Sequence, residues 1–137
     1  MDGLYCTLTF ALFDFGARRV TVANSGLPYP VHYRAATSRC EPIELPGLPL
    51  GAFDGATYDE KTLELAAGDV LVFYTDGVTE AWNGTEQYGG ARLARQVEAN
   101  AGLSAAKIGE RILSEVGQFE GTGSPADDVT LVVVKLR

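Results

Sequence analysis

Basic residues are scarce in this chain: 11 Lys and Arg stand against 18 Asp and Glu, a formal charge of −7. That argues against nucleic acid or an anionic membrane as partner, since either needs a basic surface. No uninterrupted apolar stretch reaches roughly 18 residues, so no transmembrane helix and no membrane insertion are expected. No basic region precedes an apolar one at the N-terminus, so no secretory signal peptide is read there. Cysteine occurs twice, at Cys6 and Cys40, which makes neither a zinc motif nor a disulfide framework. Both read as reduced thiols of a cytoplasmic protein, Cys6 as a small buried hydrophobe in an apolar run. Histidine occurs once. His32 has the chemistry of a general acid, but it falls on the polar side of a short alternating strand and reads as exposed.

What is present is a core: 46% of the 137 residues are hydrophobic, enough for one domain or part of one. Residues 4–15 read as a long strand, and residues 16–19 as the turn of a hairpin that returns through residues 20–23. Residues 24–30 are dense in turn formers, residues 31–34 alternate as a half-buried strand, and residues 35–41 read as a polar loop. Three prolines and three glycines between positions 42 and 58 forbid one regular element, while Ile43, Leu45, Leu48, Leu50 and Phe53 pin that loop to the core. Residues 62–65 alternate, and residues 66–69 turn into the apolar run from Val70, which predicts a second hairpin. Two helices follow. The first covers residues 90–99 with Leu93 and Val97 on one face. The second is capped by Ser104 and carries Ile108, Ile112, Val116 and Phe119 as one stripe. Strands, then two helices, then a strand predict an α+β domain: mostly antiparallel β-sandwich layers flanked by helices.

The most informative pair of segments is Val70-Leu71-Val72-Phe73-Tyr74-Thr75-Asp76-Gly77 and Asp127-Asp128-Val129-Thr130-Leu131-Val132-Val133-Val134. The first is an apolar strand ending in a carboxylate. The second is a pair of carboxylates opening an apolar strand. If the two strands pair antiparallel, Asp76 meets Asp127 or Asp128 at one rim. Gathered carboxylates repel unless a cation sits between them, so the arrangement is a candidate site for a hard divalent ion.

Four stretches carry a family resemblance: Ala23-Asn24-Ser25-Gly26 with Pro28, Leu48-Pro49-Leu50-Gly51, Tyr74-Thr75-Asp76-Gly77-Val78-Thr79-Glu80-Ala81, and Asp127-Asp128-Val129-Thr130-Leu131. In this order they resemble the C-terminal part of bacterial PPM-type (protein phosphatase 2C-like) serine/threonine phosphatases, in the SpoIIE-like branch. The resemblance implies that residues 1–137 are the C-terminal portion of one phosphatase domain, incomplete at the N-terminus. It implies a β-sandwich flanked by helices with a two-metal Mn²⁺ or Mg²⁺ centre that hydrolyses phosphoserine or phosphothreonine. Asp76 and Asp127 would be catalytic metal ligands; Asp128 would support a ligand or merely lie next to one. The implied partner is a phosphorylated anti-anti-sigma-type protein.

Two departures stand out. Leu27 occupies the place where the family usually has His. The family's first motif, Gly-Asp-x-x-Gly-x-Gly, which supplies the bridging ligand, does not occur; Asp2-Gly3 falls downstream of it. Little activity is therefore expected of the chain alone, with self-association or pairing with the missing N-terminal half. The alternative is a non-catalytic phosphatase-like module that binds a signalling partner.

Overall fold

The computed structural model describes residues 3–121 and 128–137. Strands β1 (Leu8–Asp14), β2 (Arg19–Ser25), β3 (Val31–Arg34), β4 (Arg39–Pro42), β5 (Glu60–Glu64) and β6 (Val70–Tyr74) come first. Helices α1 (Asp76–Thr79), α2 (Gly89–Asn100) and α3 (Ala105–Glu120) follow, and β7 (Leu131–Lys135) closes the order. The strands form two antiparallel sheets, β1-β2-β5 and β4-β3-β6-β7.

Alternation along β6 explains the layering, because successive side chains leave a strand on opposite faces. Val70 and Val72 face α2 and α3 and join Leu93, Val97, Ile108, Ile112 and Val116. Leu71 faces the other sheet and joins Val20, Val22, Ile43, Leu45 and Leu65. Helix α3 forms as its stripe requires: the Ser104 hydroxyl accepts the Lys107 N–H at 3.2 Å, and Ile108, Ile112 and Val116 are buried. The outer face of β1 has no such cover among the described residues. Leu8, Phe10 and Leu12 project from it, more than half exposed, while Ala11 and Phe13 turn inward.

Four expectations are corrected. Residues 60–74 are not a hairpin, because β5 pairs with β2 in one sheet and β6 with β3 and β7 in the other. The expected polar loop of residues 35–41 contains the start of β4, since β3 offers it a ladder of backbone partners. Cys6 is exposed, because it lies ahead of β1, where the Cys6–Leu50 bridge holds it at the surface.

The fourth concerns His32, which is 1% exposed. It pairs with Leu71 across the ladder and so points between the sheets, where its Nε2 lies 2.9 Å from Asp69 Oδ2. Asp69 also accepts the N–H groups of Ala35 at 2.9 Å and Ala66 at 3.1 Å. Asp69 precedes β6 and Asp76 follows it, so this pair lies at the end of the strand remote from Asp76. His32 therefore holds the sandwich together and is not placed for acid catalysis at that rim.

Candidate metal centre at the β6–β7 rim

Strands β6 and β7 pair antiparallel with Tyr74 opposite Leu131. The end of one therefore lies beside the beginning of the other. Thr75 locks this junction. Its N–H donates to the Thr130 carbonyl at 3.1 Å, and its hydroxyl accepts the Thr130 N–H at 3.0 Å and donates to the Asp128 carbonyl at 3.3 Å. The hydroxyl thus ties β6 to the entrance of β7 instead of capping α1. Asp76 opens α1, exposed at the rim, with Asp128 exposed on the neighbouring segment. Asp127 lies outside the described residues, as does Asp2. Tyr74 is half-buried next to Asp76; burial first, and the Asp76 charge second, push its phenol pKa upward.

Glycine at position 77 is a packing requirement. A Cβ there would overlap the Asp128 carbonyl oxygen and press on Val129 Cγ2 at 3.2 Å. The Thr-Asp-Gly sequence therefore lets α1 touch the segment that opens β7. Gly77→Ala is expected to cost about 1–3 kcal/mol by overpacking. A urea midpoint that does not move would show that the β7 entrance relaxes freely.

The Asn24 turn forms scaffold beside this rim. Asn24, 3% exposed, donates to the carbonyls of Leu27 at 2.8 Å and Leu45 at 3.2 Å and accepts the Thr9 hydroxyl at 3.0 Å. It joins β1, its own turn and the proline-rich loop, and Gly47 packs directly on its carbonyl oxygen. Leu27 lines a cleft of about 220 Å³ with Leu8, Thr75, Thr130 and Val132. The position where the family carries His therefore opens beside the rim and is apolar here.

Asp76 offers the hard carboxylate oxygen that Mg²⁺ and Mn²⁺ prefer. Among the described residues, no group of three or more His, Cys, Asp or Glu could hold a metal ion. The donor chemistry fits a divalent cation, but the described residues make only part of a ligand set. Trp82 is 51% exposed, and Glu80 is exposed. Sequence reasoning missed the contribution of Thr75. The hydroxyl directly preceding Asp76 was its only sign.

A family model described as Stage II sporulation protein E (SpoIIE) matches residues 1–137. Phosphoserine phosphatase RsbU of Bacillus subtilis is 24% identical over 134 residues, covering 98% of this chain and 40% of RsbU. The manganese-presoaked phosphatase domain of the cell fate determinant SpoIIE from Bacillus subtilis superimposes with a TM-score of 0.73 at 20% identity, over 95% of this chain and 56% of that one. The SiaA-PP2C domain of Pseudomonas aeruginosa gives 0.80 at 17% identity, over 96% of this chain and 52% of its own. These likenesses show a PP2C fold of which the chain spans only part. With its whole length matched, the chain belongs to the SpoIIE family.

Proposed function

We propose that this chain supplies the C-terminal part of a Mn²⁺- or Mg²⁺-dependent serine/threonine phosphatase domain, with Asp76 and Asp127 as metal ligands. The observation that carries the reading is the rim itself: Thr75 holds the end of β6 against the opening of β7, which keeps Asp76 beside the segment that follows Asp127. Bound divalent ions supply an activated water and neutralise phosphoryl oxygens. The chain's own residues have simpler tasks. Asp76 presents an exposed carboxylate, Thr75 fixes its distance from β7, and Gly77 permits the close approach. The substrate we propose is a phosphorylated anti-anti-sigma-type protein, in keeping with a relative named as a phosphoserine phosphatase. Unpaired thiols at Cys6 and Cys40 support a cytoplasmic setting.

The second reading, a phosphatase-like module that binds its partner without catalysis, draws on the incomplete ligand set among the described residues. Hydrolysis of a phosphoserine peptide with Mn²⁺ separates the two. The 137-residue chain is expected to stay near the uncatalysed rate, and a polypeptide extended upstream to the length of its relatives is expected to turn over. An inactive extended protein that still captures the phosphoprotein would establish the second reading. Rapid turnover by the chain alone would show that its own residues complete the centre, with Asp2 the first to test.

A further inference from the structure

The antiparallel register gathers one end of the sheet around Asp76. Val31 opens β3 opposite Val72 of β6 and Pro42 of β4. The start of β3 and the end of β4 therefore lie beside the end of β6, where Thr75 and Asp76 follow. A cleft of about 300 Å³ opens there against the first turns of α2. Tyr29, Val31, Pro42 and Tyr74 line it from the sheet side, and Gly90 and Ala94 from the helix.

The lining decides what can enter. It holds no charged residue, so a carboxylate or a phosphate would lose its hydration with no partner to replace it. Cys40 is the remaining member, and its thiol donates to the Ala94 carbonyl at 3.6 Å. Burial, with the Glu98 charge second, pushes that thiol up to about 12, so it offers no reactive thiolate at neutral pH. An apolar group is different: Tyr29 is 38% exposed and Tyr74 half-buried, so it would dry two aromatic rings. The volume lies at the lower end of the range for ligand sites, which suits a side chain better than a cofactor.

The cleft is also close to the rim. Tyr74 stands two residues before Asp76, and two residues of chain span at most about 7 Å. We propose that this cleft is a specificity subsite, which takes a leucine- or phenylalanine-sized side chain from the protein substrate, within roughly two or three residues of its phosphoserine. The inference deepens the phosphatase reading and rests on it. The phosphoryl group goes to the rim and the neighbouring apolar side chain to the cleft, so the pair favours a phosphoprotein over a small phosphomonoester.

Gly90 allows the cleft to be filled. A Cβ there meets nothing within 4 Å, and a larger residue suits a helix better than glycine does. In the upstream-extended protein, Mn²⁺-dependent hydrolysis is compared on phosphoserine peptides that carry either leucine or serine at the flanking positions. The leucine peptide should be preferred about tenfold or more in kcat/KM, mainly through KM. Gly90→Leu and Tyr29→Ala should each reduce that ratio to within about twofold. Equal kcat/KM for the two peptides in the parent would overturn the subsite, as would a preference that survives both substitutions. Hydrolysis of p-nitrophenyl phosphate, which has no neighbouring side chain, tests the chemistry separately. Its turnover by the parent alongside indifference to the peptide sequence would sink the subsite and spare the phosphatase reading. No hydrolysis of either substrate class would sink both.

Discussion

Asp76→Asn in the upstream-extended protein should lower Mn²⁺-dependent hydrolysis of a phosphoserine peptide at least about a thousandfold, since it removes a charge that holds the metal at the reacting phosphate. The fold should be indifferent to the change. Asp76 is exposed, and the interactions described at its position are of the backbone, with its carbonyl accepting the Glu80 N–H at 2.8 Å. Calorimetric titration with Mn²⁺ should show weakened binding alongside an unchanged thermal midpoint. Activity within tenfold of the parent, with unaltered Mn²⁺ affinity, would remove Asp76 from the centre. Asp127→Asn should behave likewise.

Asp69→Ala should unfold the protein most readily, at a cost of about 3–5 kcal/mol in urea denaturation. The substitution leaves His32 buried without its carboxylate and strips acceptors from the Ala35 and Ala66 N–H groups. Four parts of the fold meet there: β3, the turns after β3 and β5, and the end of β7, whose Leu136 N–H donates to the Asp69 carbonyl at 2.9 Å. A loss below 1 kcal/mol would mean that water replaces these partners.

The same carboxylate sets an acid limit. Burial by itself would raise its pKa, but hydrogen bonds from Ala35 N–H, His32 and Ala66 N–H outweigh it and hold the group below its ordinary 3.8. A folded pKa below the unfolded one means that the unfolded chain binds the proton first as pH falls. The contribution is complete above about 3.8 and fades as pH drops through the folded value. Across that window stability should change by up to about 1.4 kcal/mol per pH unit. Asp69→Asn should flatten that slope; a slope left intact would place the acid sensitivity elsewhere.

Several elements were legible because their signal is local. The stripe of Ile108, Ile112 and Val116 and the cap at Ser104 identify α3 without reference to the rest of the chain. The valine-rich runs of β6 and β7 read as strands for the same reason, and the antiparallel pairing that sets Asp76 beside residue 128 follows from their carboxylate ends. β4 escaped because Arg39-Cys40-Glu41-Pro42 has no strand pattern of its own; its order comes from the ladder with β3.

The alternation of Val31-His32-Tyr33-Arg34 located a strand but misjudged its faces. Both sides of β3 are covered, one by helices and one by the second sheet, so a polar side chain on that strand has no solvent face and must find a partner. That partner, Asp69, is 37 residues away. The change of sheet between β5 and β6 is equally invisible locally, since a four-residue turn suits a hairpin and a crossing alike. The sequence by itself determined the two long helices, most of the strands, the α+β class and which carboxylates stand at strand ends, because periodicity and end residues act over a few positions. Only the tertiary structure decided which sheet each strand joins, that His32 is a buried brace and that Thr75 locks the rim. Those outcomes depend on backbone pairing and burial between residues far apart in the chain.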